Sequence, residues 1–169
     1  MKKDFFEAVK WYRKAADQGY ARAQFNLGNM YVNGQGVKPD PIEAVKWYRK
    51  AADQGDPRAQ LNLGAMYATG QGVEKDYVEF VKWCRQAAEQ GFDVAQRVLG
   101  NMYEDGQGVT KDYVEAYAWF NLAAKTDANA ASNREGLESR MTPQQVAAGQ
   151  KRTKELRAQI EAKSNAKSK

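Results

Sequence analysis

Residues 20–55 read YARAQFNLGNMYVNGQGVKPDPIEAVKWYRKAADQG, and this stretch decides the fold because it returns every 36 residues. Trp11, Trp47, Trp83 and Trp119 keep that spacing, as do Asp4, Asp40, Asp76 and Asp112, and Glu7, Glu43, Glu79 and Glu115. Ala23-Gln24, Leu27-Gly28, Met30-Tyr31 and Gly34-Gln35-Gly36-Val37 return at plus 36 and at plus 72. A period of this length marks supersecondary units that cannot bury their apolar faces alone and must stack on neighbours.

Each period holds two helices whose ends are written in the sequence. Asp40-Pro41-Ile42-Glu43 offers an N-cap carboxylate, proline at the first helical position and a glutamate three residues on, the pattern of a capping box. Asp4-Phe5-Phe6-Glu7, Asp76-Tyr77-Val78-Glu79 and Asp112-Tyr113-Val114-Glu115 repeat it without the proline. The helix that follows places Ala44, Trp47, Tyr48 and Ala51 on one face and ends near Gln54, with Gly55 as a left-handed C-cap. Its partner runs from about Ala21 to Asn33 with Ala23, Leu27, Met30 and Tyr31 inward. Gly28 lets the neighbouring helix approach, and Gly34-Gln35-Gly36 ends the helix.

Composition narrows the functions. The chain has 169 residues, 43% of them hydrophobic, which suffices for a substantial core. No apolar run approaches the roughly 18 to 20 residues of a membrane span, and the start, Met1-Lys2-Lys3-Asp4, carries no signal-peptide pattern. Residues 1–132 balance acid and base, so the net +5 lies wholly in residues 133–169. That placement reads as a solvated helix rather than a nucleic-acid site. The absence of histidine excludes Ser-His and Cys-His catalysis and histidine-ligated metals. The single cysteine, Cys84, sits in register with Tyr12 and Tyr48 and reads as a packed core residue. The Gly-Gln-Gly loops lack the context of a phosphate cradle, and the acidic pairs are explained as helix caps. No catalytic, metal or cofactor site is expected.

The pattern Ala-Gln-x-x-Leu-Gly-x-x-Tyr-x-x-Gly-x-Gly-Val, then Asp, then Ala-x-x-Trp-Tyr-x-x-Ala-Ala-x-x-Gly, resembles the Sel-one-like repeat, a relative of the tetratricopeptide repeat, over residues 4 to about 127. The resemblance implies an all-α, right-handed superhelical α-solenoid of antiparallel helix pairs whose first helices line a concave groove. It also implies a non-catalytic adaptor that binds a protein or peptide, without nucleic acid or membrane insertion. Bacterial relatives are often exported, periplasmic or engaged with a host, which leaves the compartment open. Two alternatives carry over from relatives: a β-lactam-binding or hydrolysing enzyme, and an immunity-type protein that neutralises a toxin. The first is weakened because cysteine-rich relatives carry a disulfide in each repeat, and the sole Ser-x-x-Lys match here is Ser164 to Lys167.

The expected organisation is tandem repeats over 1–141. An opening half-repeat helix at 4–18 precedes repeats at about 20–55, 56–91 and 92–127 and a degenerate half repeat at 128–140. In that last unit Ser132 and Glu135 depart from the pattern while Ala131 and Gly136 keep it. Thr142-Pro143-Gln144-Gln145 opens a capping helix over 142–163 with Val146, Thr153, Leu156 and Ile160 inward, and residues 164–169 form a frayed basic tail. In the phase of the resembled repeat the opening helix is a second half without its first, so Phe6, Val9 and Trp11 are expected on a face that lacks a neighbour, either because the sequence is truncated there or because a partner, such as a second copy in a homodimer, covers it. Comparison with tetratricopeptide groove faces nominates Arg22, Phe25, Asn29 and Asn33, then Arg58, Leu61, Ala65 and Thr69, then Arg97, Asn101, Glu104 and Asp105. Such a surface suits a peptide with hydrophobic anchors and a carboxylate for an arginine fork.

Overall fold

The structure, a computed structural model, describes residues 4–167, and all its regular elements are α-helices. They are α1 (Phe5–Asp17), α2 (Ala21–Asn33), α3 (Pro41–Asp53), α4 (Pro57–Thr69), α5 (Tyr77–Ala88), α6 (Asp93–Asp105), α7 (Tyr113–Ala123), α8 (Ala128–Glu138) and α9 (Pro143–Lys167). The chain divides into two compact units, residues 1–83 and 84–169, with the division inside α5.

The aspartates start the helices as their spacing predicts. Asp40 accepts from the N–H groups of Ile42 and Glu43 at 3.0 Å each, and Asp4, Asp76 and Asp112 do the same two and three residues on. The reciprocal half of the capping box is not the one used, however. The Asp40 N–H donates to the Tyr31 carbonyl at 3.0 Å, and Asp76 and Asp112 donate likewise to Tyr67 and Tyr103. The cap thus staples the start of each second helix to the helix before it. Three of the glutamates are spent locally instead, Glu7 on Lys10, Glu43 on Lys46 and Glu79 on Lys82, whereas Glu115 pairs with Arg152 of α9. Among the described residues the box is reciprocal only at α9, Thr142 N–H donating to Gln145 Oε1 at 2.9 Å and Gln145 N–H to Thr142 Oγ1 at 3.2 Å.

In the first unit α2 packs on α1 and α3, and α3 on α4. Its core joins Leu27, Tyr31, Ala44, Trp47, Tyr48, Ala51 and Leu63, and Leu27, Ala44, Ala51 and Leu63 are wholly inaccessible. Burying one such leucine contributes roughly 1.5 to 3 kcal/mol. The helices approach closely because Gly28 lies under the Tyr48 ring: a Cβ there would stand 2.6 Å from two ring carbons. Gly64 repeats the arrangement with a different residue, its Cβ position being 2.9 Å from Phe80. Phe80 stands in the register of Ala44, and Cys84 in that of Tyr48, so the ring has moved one helical turn along the sequence. Gly36 has φ +72°, and a Cβ on it would lie 2.2 Å from the Phe5 carbonyl oxygen, so the loop backbone seats directly on the start of α1.

Three further bonds recur at the repeat spacing. Gln24, Gln60 and Gln96 each donate from Nε2 to a carbonyl eight residues back, at Ala16, Ala52 and Ala88, at 3.1 Å. These buried amides are thereby satisfied.

In the second unit α7 packs against α6, α8 and α9. The turn after α7 corrects the register expected for the degenerate half repeat. Asp127, in the place of Gly91, is itself the N-cap of α8 and accepts from Asn129 and Ala130 N–H. The turn is therefore one residue shorter, and α8 is set one position earlier than the 36-residue period demands. Ala130 and Leu137 are the wholly buried residues, whereas Gly136 is exposed and a Cβ on it would meet nothing within 4 Å. The match of Ala131 and Gly136 to the pattern is coincidental. Helix α9 packs Gly149 on Tyr117 and buries Thr153 and Leu156, with Val146 and Ile160 half-buried. It continues to Lys167, so residues 164–167 extend the helix beyond the expected end at Lys163; Ser168 and Lys169 lie outside the described residues.

On the opening helix Phe6 and Trp11 are 67% and 66% exposed, but Val9, expected beside them, is buried in the core. The other three tryptophans are buried.

Candidate binding surface

In the first unit α2 and α4 stand side by side. Asn29 Oδ1 accepts from the Tyr48 hydroxyl at 2.6 Å and from Asn62 Nδ2 at 3.2 Å. Between the two helices lies a cavity of about 340 Å³ lined by Asn29, Asn33, Ala65 and Thr69, which had been nominated from the sequence, and by Tyr48, Asn62, Val32, Met66 and Gln71. Burial pushes the Tyr48 phenol up from its ordinary pKa. Sequence reasoning assigned Tyr48 to the core alone and passed over Asn62. The signal for Asn62 was available, since asparagines at 26 and 62 keep the period beside the nominated positions.

Phe25 and Arg58 meet at the next level of the same strip. The Arg58 guanidinium stands 4.6 Å over the Phe25 ring, which also tilts against Tyr48 with centroids 6.1 Å apart. The same guanidinium is bidentate on Asp56, Nε to Oδ1 at 3.2 Å and Nη2 to Oδ2 at 2.6 Å. Burial works against ionisation of Asp56, but Arg58 and the backbone N–H of Ala59 outweigh it and hold the carboxyl below its usual range. Asp56 also caps α4, so the fork of Arg58 is occupied by a carboxylate of its own chain. Leu61 is half-buried and Arg22 exposed.

The nominated residues of the second unit are mostly spent on α8 and the turn after it. Arg97 Nε donates to Asp127 Oδ2 at 2.6 Å, Asn101 Oδ1 accepts from Asn133 Nδ2 at 2.9 Å, and Glu104 pairs with Arg140. Burial tends to raise the Asp127 carboxyl, and Arg97 with the helix N–H groups overrides it to hold the pKa low. Asp105 remains exposed at the end of α6.

A larger depression of about 760 Å³ lies where α1 meets the loop between α2 and α3, lined by Phe6, Val9, Lys10, Tyr31, Val37 and Pro39 among others. None of the nominated residues reaches it. Among the described residues no cluster of three or more His, Cys, Asp or Glu side chains could hold a metal, and no helix is long and apolar enough to cross a membrane.

One repeated pairing escaped the sequence reading. Arg13, Arg49 and Arg85 each donate from Nη2 to the hydroxyl of the tyrosine 18 residues on, Tyr31, Tyr67 and Tyr103. These residues were legible as two more rows at the 36-residue period.

Among solved structures, a Sel1 repeat protein from Oxalobacter formigenes is 47% identical, with a TM-score of 0.75, covering 79% of this chain and 55% of that one. The protein c5321, described as a protective antigen of uropathogenic Escherichia coli with an SLR fold, is 31% identical, with a TM-score of 0.68, over 94% of this chain and 42% of that one. The chain thus spans about half the length of these relatives. A search of curated proteins found no match. The family model for the Sel1 repeat matches residues 1–20, 21–56, 57–92 and 93–125, and the chain belongs to the Sel1 repeat family, whose repeats are in general protein-interaction modules.

Proposed function

We propose that this chain is a non-catalytic adaptor that holds a peptide segment of a partner protein along α2 and α4. The observation that carries the reading is the cavity between those helices. Its walls combine side-chain amides and hydroxyls with the apolar Val32, Ala65 and Met66. Amides present a donor and an acceptor together, which matches the peptide group, and the apolar patches take side-chain anchors. Arg22, exposed near the start of α2, is the nominated guanidinium for which no internal ion pair is formed among the described residues, and it suits an acidic residue of the partner.

The variability of the strip supports the same reading. Two of the registers around it differ in every repeat, Phe25, Leu61 and Arg97 and then Asn33, Thr69 and Asp105, while Asn29 gives way to Ala65 and returns as Asn101.

A photo-crosslinking residue placed at Ala65, exposed on α4, should capture the partner in the native host. The same residue at Ile42, 58% exposed on α3, should not. Ala65→Trp, which fills the cavity without touching the core, should abolish capture at Leu61 while leaving the helical signal unchanged. Equal capture from Ile42, or capture at Leu61 indifferent to the tryptophan, would overturn the proposal.

A further inference from the structure

Helix α1 and the loop between α2 and α3 enclose the depression of about 760 Å³, apart from the strip between α2 and α4. The loop backbone seats on the start of α1 through Gly36, so the two walls belong to one fixed contact. This edge of the repeats stays open where a helix pair precedes it. Ile42 and Val78, in register with Phe6 and each following a complete pair, are 58% and 65% exposed, close to the 67% of Phe6.

What lines the depression differs from the same place one repeat on. Phe6, Lys38 and Pro39 stand where the next repeat has Ile42, Glu74 and Lys75. The first place thus has an aromatic ring and a proline beside Val9 and Val37, and a cation where the second has an anion. Lys38 is exposed and forms no ion pair among the described residues, and the N–H groups of Val37 and Lys38 make no hydrogen bond there. The other charged wall residues are occupied: Lys10 pairs with Glu7 at 2.8 Å, and Asp40 accepts from the N–H groups of Ile42 and Glu43. Donors without acceptors beside an apolar wall are complementary to an anion that carries a hydrocarbon body. The volume falls in the range of small-molecule sites, roughly 300 to 1,000 Å³.

We infer that this depression binds a small amphipathic carboxylate, a fatty or aryl acid. Its apolar part lies on Phe6, Val37 and Pro39, and its carboxylate meets the Lys38 ammonium and the unpartnered N–H groups of the loop. A compact anion would leave the apolar wall wet, and a neutral lipid would leave the donors unanswered.

The test uses the full chain, with anilinonaphthalene sulfonate, an apolar anion that brightens in such a site, as the probe. Decanoate should displace the probe and decyltrimethylammonium should not. Titration with decanoate should shift the amide resonances of Val37 and Lys38 in heteronuclear NMR spectra. Lys38→Glu copies the residue that the next repeat carries in this place, so the loop accommodates it. It should weaken decanoate binding at least about fivefold, since an exposed ion pair is replaced by a repulsion. Phe6→Ser should weaken binding by a similar factor, and Ile42→Ser, the equivalent change one repeat on, should leave it unchanged. Circular dichroism checks that each variant keeps its helices. The inference fails on any of three results: displacement by the cation as strong as by decanoate, decanoate binding indifferent to Lys38→Glu, or stronger displacement by the peptide Gly-Gly-Leu-Leu, which would make a chain terminus the occupant.

Discussion

Replacing glycine by alanine at two helical positions should change stability in opposite directions, and the sign follows from what a single added carbon meets. At Gly28 a Cβ would stand 2.6 Å from Cδ1 and Cε1 of Tyr48. That ring is 2% exposed and held by its hydroxyl at 2.6 Å from Asn29, so it cannot swing aside. Overpacking of this kind costs about 1 to 3 kcal/mol, while alanine recovers roughly 0.5 to 1 kcal/mol of helix propensity. Gly28→Ala should therefore destabilise by up to about 2.5 kcal/mol. At Gly136 nothing lies within 4 Å, so only the propensity gain remains and Gly136→Ala should stabilise by up to about 1 kcal/mol. Urea titrations followed by circular dichroism would show the midpoint falling for the first variant and rising for the second, with equal slopes. A midpoint that rises for Gly28→Ala would refute the close approach at Tyr48, and one that falls for Gly136→Ala would refute the register assigned to α8.

The exchange of rings in α5 predicts a coupled pair. Phe80→Ala and Cys84→Tyr should each destabilise, by a cavity and by overpacking respectively, and the double variant should lose less than the two together by about 0.5 to 3 kcal/mol in a double-mutant cycle. Burial pushes the Cys84 thiol up to about 12, while an unfolded thiol titrates near about 8.5. The folded chain keeps a proton that the unfolded chain releases, so stability is full below about pH 8.5 and falls by about 1.4 kcal/mol per pH unit as pH rises toward the folded value. Cys84→Ala should remove that slope, and a thiol reagent should leave native Cys84 unmodified at pH 8. Trp47→Ala should cost about 3 to 5 kcal/mol and Trp11→Ala within about 0.5 kcal/mol, although the two residues occupy the same place in the repeat. Thermal unfolding separates them.

The sequence was most informative where one residue type answers one local need. Aspartate before each second helix, proline at 41 and glycine at 28 each solve a problem confined to a turn or a contact, so their spacing alone located helices to within a residue or two. It was least informative where the partner lies in the neighbouring repeat. Asn29 with Asn62, Asn101 with Asn133 and Arg97 with Asp127 are 33, 32 and 30 residues apart, and which residues face one another depends on the offset of adjacent helices rather than on the period. The slip at Asp127 was hidden for a related reason. One residue fewer in a turn changes which side of α8 is buried, yet the sequence there still contains an alanine and a glycine at the expected numbers. Of the twelve nominated surface residues, the arginines proved the least transparent. A guanidinium that looks available in sequence finds a carboxylate of its own chain at two residues' distance in Arg58 and at thirty in Arg97.

That outcome bears on where a partner would gain its affinity. A side chain already bonded within the chain must exchange one partner for another on binding, and a charge-assisted bond such as Arg97 to Asp127 or Arg58 to Asp56 gives little net energy when exchanged for an equivalent one. An unspent group has no such exchange to make. On α2 and α4 these are Arg22, the exposed Ala65 and the half-buried Leu61, whereas the Thr69 hydroxyl already donates to the Ala65 carbonyl. On α6 the comparable positions are largely consumed in holding α8. Two repeats that look alike by sequence therefore differ in what they can offer. In the second unit the variable positions mostly bond to α8 and its flanking turns, whereas in the first Asn33, Ala65 and Thr69 are exposed. Energetic mapping of a bound peptide should accordingly concentrate on α2 and α4, with alanine substitutions in α6 acting on stability before they act on binding.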